Sequence, residues 1–430
     1  MSGRVKGNVG HDGMALILAL FAIIILTALV VTFASVARTD VLLAGNRTAM
    51  LQAFYGAQSS LNYCRSVLAA HNPTVETLAT ETDWVQVEDG KTGAVEWQYP
   101  VSTPAVALDI PGFTVTAVIE DESARLNINT LNTASAAEDT SKAMLMALPG
   151  MTEEAADSIL DWRDANDNSR PLGAESDYYL TLPSPYEAAN GPFETIDELR
   201  LVRGVDAVMF EGDGTAANPG LRNLVTVRSG ESNLGRTDIS TATAAQVAAR
   251  IGGLTPQQIT AARWARAGRH SLGDVVSMSI PGVSWQRLAR ALDRFYAAGP
   301  NSTASFAEGT VNLNTAGESV LEAIGLPAAV AQALIEQHAA APLAAKGELA
   351  GIQGIRQQDM IAVADLIATK SSIYRVRASA QAEERPLRAG VFALLDRSGP
   401  SPRVILWRQD FDPSAAPSTS PPVQSSGSQE

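Results

Sequence analysis

The 430-residue chain has one cysteine, Cys64, and four scattered histidines. A single cysteine excludes an intramolecular disulfide and a cysteine-based zinc site, and no two histidines have the spacing of metal ligands on one helix. The sequence also lacks a G-x-S-x-G elbow and a G-x-x-x-x-G-K-[ST] phosphate loop. These absences disfavour catalysis, and we expect no enzymatic activity.

Basic residues are scarce beside acidic ones. The chain has 32 Lys and Arg against 46 Asp and Glu, and its net charge is −14. Because binding to a polyanion such as DNA is driven mainly by Lys and Arg, we expect no nucleic-acid partner. An exported chain without a disulfide must be held together by its hydrophobic core or by a metal.

Charge is absent from the whole stretch between Met14 and Ala37. About 20 apolar residues in a helix span a hydrocarbon core of ~30 Å, whereas a secretory signal has an apolar core of ~7–15 residues. The pattern therefore favours a spanning helix, although Ser35-Val36-Ala37 also resembles a signal cleavage site. No proline occurs before Pro73, so we predict one helix from Met14 to about Ala70, apolar all round at first and amphipathic later.

The second part of this helix carries apolar residues at helical spacing, among them Val41, Leu51, Phe54, Leu61 and Leu68. An exposed stripe of this kind usually marks a partner surface, and we predict that partner subunits bind along it. Arg4 and Lys6 favour a cytoplasmic leader. The chain should then cross the bacterial inner membrane once, with its bulk in the periplasm.

Strand patterns occur in two places that lie far apart in the sequence. Residues 84–99 read as a hairpin, Phe113–Ser123 as a strand, and "SIYRVRASAQAE", "RAGVFALLDR" and "PRVILWRQD" as a three-strand meander from Ser372 onwards. Together they would give five or six antiparallel strands that cover the amphipathic end of the helix. We predict an α+β fold in which residues 126–370 form a large all-α insertion.

The insertion contains three repeats of one design. They begin with "LNINTLNTASAAE" at Leu126, "TDISTATAAQVAARI" at Thr237 and "VNLNTAGESVLEAI" at Val311, and each continues into Gly- or Pro-punctuated hairpins. These units resemble helix-hairpin-helix motifs, which in many proteins grip the DNA backbone. Their hairpin loops are poor in Lys and Arg, so we interpret residues 126–228, 229–301 and 302–370 as compact packing units.

The most specific pattern lies between Ile159 and Val205, where D-W-x-D, G-A-E and D-Y-Y are followed by N-x-P-F, DEL and V-x-G. This segment, with "LNINT", "VNLNTA" and the closing "VILWR", resembles the minor pseudopilin K family of type II secretion systems. Gly13 ends a polar leader directly before the apolar run, as at prepilin peptidase sites, which implies cleavage between Gly13 and Met14. Most pseudopilins have Glu at the fifth mature position, which here is Leu18, and the K family typically lacks that Glu.

The resemblance implies a type IV pilin-like architecture. A leader (1–13) precedes the transmembrane part of the helix (14–37), and a head (38–125 and 371–411) encloses the helical insertion. The Pro/Ser-rich tail (412–430) should be disordered. The family usually has two helical units, and this chain has three.

The implied function is that of a non-enzymatic subunit at the pseudopilus tip, which helps initiate pseudopilus assembly and protein export. The implied partners are minor pseudopilins I and J and prepilin peptidase, with the inner-membrane platform and the outer-membrane secretin as further candidates. Two alternatives remain at this point. One is a membrane-anchored DNA receptor of the competence type, and the other is a minor pilin of a type IV pilus.

Five acids lie close together at the centre of the specific segment: Asp161, Asp164, Asp167, Glu175 and Asp177. Ca²⁺ takes about six to eight oxygen ligands, and members of the K family are thought to bind calcium in their helical domain. We therefore expect a calcium site here, although the spacing is not that of an EF-hand. The alternative is a solvated loop in which Arg163 and Arg170 neutralise some of the carboxylates.

Overall fold

The computed structural model describes residues 11–70, 106–131, 135–215, 218–338, 341–383, 387–399 and 401–410. Its α-helices are α1 (His11–Ala70), α2 (Ser135–Met146), α3 (Glu153–Arg163), α4 (Ser176–Tyr179), α5 (Ala207–Glu211), α6 (Leu221–Leu224), α7 (Ala244–Ile251), α8 (Pro256–Ala261), α9 (Leu272–Val276), α10 (Trp285–Ala289), α11 (Glu318–Ala323), α12 (Ala328–His338) and α13 (Gln357–Val363). Short 3-10 helices span Glu122–Ala124, Ile128–Thr130, Ile196–Leu201, Leu292–Arg294 and Lys346–Gly351.

The strands are β1 (Val106–Ile110), β2 (Phe113–Asp121), β3 (Leu126–Asn127), β4 (Val225–Thr226), β5 (Gly230–Ser232), β6 (Thr237–Asp238), β7 (Phe295–Tyr296), β8 (Phe306–Glu308), β9 (Val311–Asn312), β10 (Ile367–Ala368), β11 (Ile373–Ala382), β12 (Arg388–Asp396) and β13 (Arg403–Asp410). The predicted hairpin at residues 84–99 and the predicted tail at 412–430 lie outside the described residues.

The long N-terminal helix is confirmed. α1 runs unbroken for 60 residues, because its sequence contains no proline and almost no residue that would interrupt a helix. Its most apolar 18-residue window has a mean hydropathy of 3.1, and none of that window is buried. Length and composition therefore make α1 a candidate membrane span.

The antiparallel sheet is also confirmed. Five strands lie in the order β1-β2-β11-β12-β13, so β2 pairs with a strand that follows only after the whole inserted segment, with Tyr374 opposite Asp121. The predicted meander corresponds to β11, β12 and β13. The inserted segment therefore begins at the end of β2 and ends at the start of β11, and these two strands are neighbours in the sheet.

The C-terminal half of α1 packs across one face of this sheet. The residues that it buries there are Ala53, Ala57, Leu61, Cys64 and Leu68. A Cβ atom on Gly56 would lie 3.4 Å from the side chains of Ile110, Val115 and Ala380. Small helix residues thus bring the backbone of α1 into contact with the alternate, inward-facing residues of the strands.

Buried polar contacts join the sheet to the inserted segment at the end of β2. Asp121 accepts a hydrogen bond of 2.7 Å from Asn312 Nδ2 in β9. Glu122 forms an ion pair with Arg375 of β11 and accepts a hydrogen bond from the Thr226 hydroxyl in β4. One short stretch therefore ties the sheet to two separate parts of the insertion.

The prediction of an all-α insertion is wrong. β3 pairs with β4, β6 with β7, and β9 with β10, all in parallel, and β5 pairs antiparallel with β8. Each strand has two or three residues, whereas alternation becomes recognisable over about four to eight. The sequence signal for these strands was therefore too short to read.

The three parallel pairs close three successive units. Their strands join Leu126 with Val225, Thr237 with Phe295, and Val311 with Ile367. The β5–β8 ladder pairs residues 230–232 with residues 306–308. The chain segments directly before and after the second unit therefore pair with each other, so the second unit is inserted at one point between the first unit and the third.

The first unit and the third unit are each stabilised internally by an asparagine at the same position of the repeat. Asn129 Nδ2 donates to the carbonyl oxygens of Phe193 and Val227, at 2.8 and 3.1 Å, and Asn314 makes the same pair of bonds within the third unit. Ser240 occupies the corresponding position in the second unit. A serine hydroxyl has only one hydrogen to donate, so the second unit cannot form this pair of side-chain bonds.

Candidate metal centre and partner surface

Three of the five predicted acids converge around the end of α3. The Thr152 side chain caps the start of that helix, Asp161 lies in its last turn, Asp164 follows it, and Glu175 precedes α4. Their exposed fractions are 0%, 7% and 1%. One carboxylate oxygen from each lies within 4.8 Å of the others, so the loop between α3 and α4 folds back onto the helix end.

Arg170 lies among these carboxylates. Its guanidinium pairs with Asp161 and, at 2.9 Å, with Asp164, and its backbone N–H donates to Asp161 Oδ2 at 3.1 Å. Arg163 instead donates to the carbonyl oxygens of Ile128, at 2.6 Å, and Leu131. Of the two arginines considered as neutralising charges, Arg170 is the one that pairs with the cluster.

Glu175 is the least well satisfied member of the cluster. Both of its carboxylate oxygens are buried without a hydrogen-bond donor in the described structure. Burial, together with the charges of Asp161, Asp164 and Asp167, raises the pKa of Glu175 to about 8. Burial likewise raises the pKa of Asp161. A group of carboxylates with raised pKa values has a high affinity for a compensating positive charge.

Gly173 makes this geometry possible. A Cβ atom at that position would lie 1.8 Å from Asp161 Oδ2, so any side chain would displace the carboxylate. The G-A-E motif thus brings the loop backbone against Asp161 through Gly173, buries Ala174, and turns Glu175 into the cluster.

The other two predicted acids lie apart from the cluster. Asp167 is exposed and accepts a hydrogen bond of 2.8 Å from Asn190, and Asp177 is exposed and accepts one of 2.8 Å from the Tyr178 N–H. Sequence reasoning missed Asp157, which is buried and pairs with Lys142 at 2.8 Å. Its position, one turn before Asp161 on α3, was the available signal.

Aromatic side chains form the wall behind the carboxylates. The Trp162 ring packs edge-on against Tyr179, with ring centroids 5.1 Å apart, and stacks on Phe193 at 6.3 Å. The D-W, D-Y-Y and P-F motifs, distant in sequence, therefore meet in one core. Asn129 of the "LNINT" motif donates to Phe193 and accepts from it.

The predicted partner stripe on α1 is divided between two faces. Leu61 and Leu68 have exposed fractions of 4% and 0%, because they pack against the protein's own sheet, so the prediction that they bind partners is wrong for this conformation. Phe54 is half-buried beside Trp407. Val41 and Leu51 are exposed and remain available.

The exposed face of this half-helix carries further apolar side chains. Leu51, Tyr55 and Tyr63 have exposed fractions of 50%, 61% and 39%, and their spacing of four or eight positions places them in one row. Sequence periodicity showed that the helix is amphipathic, but it could not show that the sheet takes one apolar row and leaves another.

The predicted processing site lies at the start of α1. Gly13, Met14 and Leu18 all belong to this helix, and Met14 and Leu18 are exposed within its apolar part. Cleavage between Gly13 and Met14 remains a prediction.

Comparison with known proteins bears on the segment that contains the carboxylates. Residues 124–212 match the family model for protein K of the type II secretion system. This segment belongs to the protein K family. The match covers the first helical unit up to the end of α5 and stops before the second unit.

Two curated relatives agree with this result. The type II secretion system protein K of Pectobacterium carotovorum subsp. carotovorum is 30% identical over 122 residues, which are 25% of this chain and 37% of the relative. The protein K of Pseudomonas aeruginosa is 39% identical over 93 residues, which are 20% of this chain and 28% of the relative. The chain thus spans about a third of the length of the curated relatives that it matches.

Among solved structures, the GspK-GspI-GspJ complex of the type II secretion system of enterotoxigenic Escherichia coli has a chain that matches with 16% identity and a TM-score of 0.47, over 85% of this chain and 98% of that chain.

Proposed function

We propose that the protein is a minor pseudopilin of a type II secretion system, located at the tip of a periplasmic pseudopilus. The observation that carries the proposal is the protein K domain at residues 124–212. Arg125 of this segment makes buried polar contacts with Glu120 and Asp121 of β2, in the antiparallel sheet on which the C-terminal half of α1 packs. In this role the protein helps to initiate pseudopilus assembly and the export of folded proteins, without enzymatic activity.

The position at the tip is supported by Leu18. In pilin-type filaments the carboxylate at the fifth mature position is thought to pair with the amino terminus of a neighbouring subunit. A subunit at the tip lacks one such neighbour, and an unpaired carboxylate in an apolar helix core would be costly. The large insertion also suits a terminal subunit, because its volume would clash between subunits repeated along a filament.

The membrane arrangement follows from α1. Before assembly, its apolar half spans the inner membrane once, with the leader in the cytoplasm and the remainder in the periplasm. Prepilin peptidase removes the leader after Gly13. The assembly platform of the inner membrane and the outer-membrane secretin are further partners in this proposal.

Minor pseudopilins I and J are the proposed direct partners, and the exposed row of α1 is their proposed contact. The test is to produce the full-length chain together with I and J and to purify one of them from detergent extract. The proposal predicts that all three proteins elute together in fixed ratio. Recovery of I and J without this chain would contradict it.

We also propose that the cluster holds calcium, with Asp161, Asp164 and Glu175 as ligands. The donor set fits, because calcium prefers carboxylate oxygens and both Glu175 oxygens are buried without a donor among the residues that the structure describes. Three ionised carboxylates and the Arg170 guanidinium sum to two negative charges, the charge that one divalent cation balances. Calcium would supply a cross-link between α3 and the loop that precedes α4, in a chain that has no disulfide.

A further inference from the structure

The second helical unit differs in charge from the rest of the chain. Between Thr237 and Tyr296 the sequence has seven Arg, three Asp, and no Lys or Glu, for a net charge of +4. The whole chain has a net charge of −14, so the remainder carries −18. All seven arginines are exposed. This basic unit lies beyond the segment that matches the protein K family model.

Four of the arginines gather at one end of the unit. Arg287 Nη2 donates to the Gly253 carbonyl oxygen at 2.6 Å, and Arg294 Nη1 donates to the carbonyl oxygens of Arg250 and Ile251 at 2.9 and 2.6 Å. Both guanidiniums therefore lie at the turn between α7 and α8.

Arg290 lies beside Arg287 and Arg294 on the same helical stretch. It is three positions after Arg287 and four before Arg294 in a helical stretch, so all three lie on one face. Arg250 lies in the last turn of α7, directly before the turn that Arg287 and Arg294 contact. We call Arg250, Arg287, Arg290 and Arg294 the arginine patch.

The turn is shaped to admit these side chains. A Cβ atom on Gly252 would lie 2.9 Å from Arg294 Nη1, and one on Gly253 would lie 2.9 Å from Arg287 Nη2. Both glycines also have positive φ angles, of 77° and 63°. The guanidiniums are thus anchored by backbone carbonyls over a turn without side chains, and their charges are fixed at the surface rather than mobile in solvent.

The corresponding turns of the other two units carry no such patch. In the first unit the turn at Gly150 is followed by Glu153 and Glu154, which pair with Lys142 and Arg203 at 3.1 and 2.7 Å. In the third unit the turn at residues 324–330, "IGLPAAV", has no charged residue. The patch is therefore a property of the second unit and not of the repeated fold.

We propose that the arginine patch is a docking surface for an acidic partner protein, whose Asp and Glu carboxylates the guanidiniums bind in pairs of hydrogen bonds. Charge complementarity favours a compact protein over a polyanion or a membrane. An extended nucleic acid or a planar anionic bilayer presents many negative charges over a large area, and the remainder of the chain, with its net charge of −18, opposes its approach. A compact partner presents its carboxylates over a smaller area, and repulsion between charges more than about 8 Å apart is largely screened. This inference goes beyond the proposed role in the pseudopilus and does not depend on it.

The test measures binding of three labelled probes to the full-length chain, held through α1 in nanodiscs of neutral phosphatidylcholine without free detergent, at an ionic strength of about 0.15 M. The probes are an octaglutamate peptide, an oligothymidylate of the same net charge, and vesicles that contain phosphatidylglycerol. The proposal predicts that octaglutamate binds more tightly than the oligothymidylate and that the vesicles do not bind beyond the level set by α1. Tighter binding of the oligothymidylate or the vesicles, or no binding of octaglutamate, would overturn it.

Two double variants locate the site. Arg250→Glu with Arg290→Glu reverses two patch charges that have no ion pair in the described structure, and it leaves the anchored Arg287 and Arg294 in place. We expect octaglutamate affinity to fall about tenfold or more. Arg47→Glu with Arg228→Glu makes the same change in net charge at exposed positions outside the unit and should leave the affinity within about twofold. Equal losses in both variants would show a general charge effect and would contradict the docking site.

Discussion

At the scale of single residues, Glu175 has unusual surroundings for a carboxylate. It is buried beside two other acids, and neither of its oxygens meets a donor within the described part of the chain. Burial and those neighbouring charges raise its pKa to about 8, so in the absence of a cation it is largely protonated at neutral pH. A purely structural role would not require this arrangement, because a glutamine at the same position would avoid the repulsion.

Replacing Glu175 with Gln therefore distinguishes a calcium site from a polar loop that binds no metal. In the wild-type chain, calcium that binds the folded state alone adds about 2.7 kcal/mol at a hundredfold excess over Kd, which raises Tm by a few degrees. We expect E175Q to lose this calcium-dependent rise without a loss of stability in chelator. Melting curves of the full chain in detergent, with calcium, magnesium and chelator, measure both effects.

The matched control is Asp177→Asn, at an exposed acid that lies outside the cluster. It should keep the full calcium-dependent rise in Tm. Wild-type curves that coincide in calcium and chelator, or an E175Q variant that responds like the wild type, would exclude the calcium site.

Gly173 provides a second test at this scale. In Gly173→Ala the new Cβ atom would lie 1.8 Å from Asp161 Oδ2, so the carboxylate must move and its pairing with Arg170 must change. We expect a loss of about 1–3 kcal/mol in stability, as for overpacked sites, together with loss of the calcium response. Chemical denaturation measures the first effect. Gly351→Ala, where a Cβ would meet nothing within 4 Å, should have no comparable effect on stability.

At the scale of elements, α1 has two apolar faces with different tasks. One face is buried against the sheet through Ala57 and Leu61, and the other exposes Leu51, Tyr55 and Tyr63. Packing of the first face is part of the fold of this chain alone. The second face has no partner among the described residues, so it is the surface that a neighbouring helix can cover.

Charges on the exposed face should prevent assembly without unfolding the chain. We expect the double variant Leu51→Asp and Tyr55→Asp to lose co-purification with pseudopilins I and J, because burying two carboxylates in an apolar interface is costly. Its circular dichroism and melting should match those of the wild type. Gln257→Asp with Gln353→Asp adds the same charge at exposed polar positions of the insertion, outside α1, and should retain the complex. Equal behaviour of the two variants would place the contact elsewhere.

The end of β2 makes stability depend on acid pH. Burial alone would raise the pKa of Glu120, but the charges of Arg125, Arg377 and Arg375 outweigh it and lower the pKa from 4.5 to about 2. A carboxyl whose pKa is lower in the folded state stabilises the fold above its unfolded pKa. The contribution is therefore present above pH 4.5 and is lost as the pH falls towards 2.

A comparison of the wild type with Glu120→Gln isolates this contribution. Lowering a pKa from 4.5 to about 2 corresponds to about 3 kcal/mol. We expect the free energy of unfolding of E120Q to be lower than that of the wild type by about this amount at pH 7, and the difference to shrink as the pH falls below 4.5. Urea titrations across this range measure it. A difference that stayed constant down to pH 2 would mean that the ion pairs do not contribute.

At the scale of the whole molecule, the long segments with a clear periodicity could be predicted from the sequence. The two- and three-residue strands, and the contacts between distant parts of the chain, could not. β11 and β12 are long strands with a recognisable strand pattern, and α1 has 60 residues without a proline. The short strands that close each unit contain too little sequence to show a period. Which face of α1 the sheet would cover depended on packing between the two ends of the chain, and periodicity cannot report that.

The candidate site shows the same division. Sequence proximity grouped five acids, but the folding of the loop decides that Asp161, Asp164 and Glu175 meet while Asp167 and Asp177 do not. The positive charge of the second unit can be counted in the sequence, but the net charge of the whole chain, which is negative, does not show it. The convergence of its arginines depends on the fold, because Arg250 is separated from Arg287 by two further helices and the loops between them.

The central claim is that this chain is a pseudopilin, and its most direct test is the amino terminus of the mature protein. The polar leader ends at Gly13 against an apolar helix that continues unbroken to Ala70, so prepilin peptidase should remove the leader and leave the helix intact. The measurement is amino-terminal sequencing, or mass spectrometry, of the full chain produced together with prepilin peptidase. The account predicts that Met14 is the first residue. A mature chain that begins at Arg38 would show ordinary signal cleavage in the middle of α1, and an unprocessed chain would show no recognition by the peptidase; either result would contradict the account.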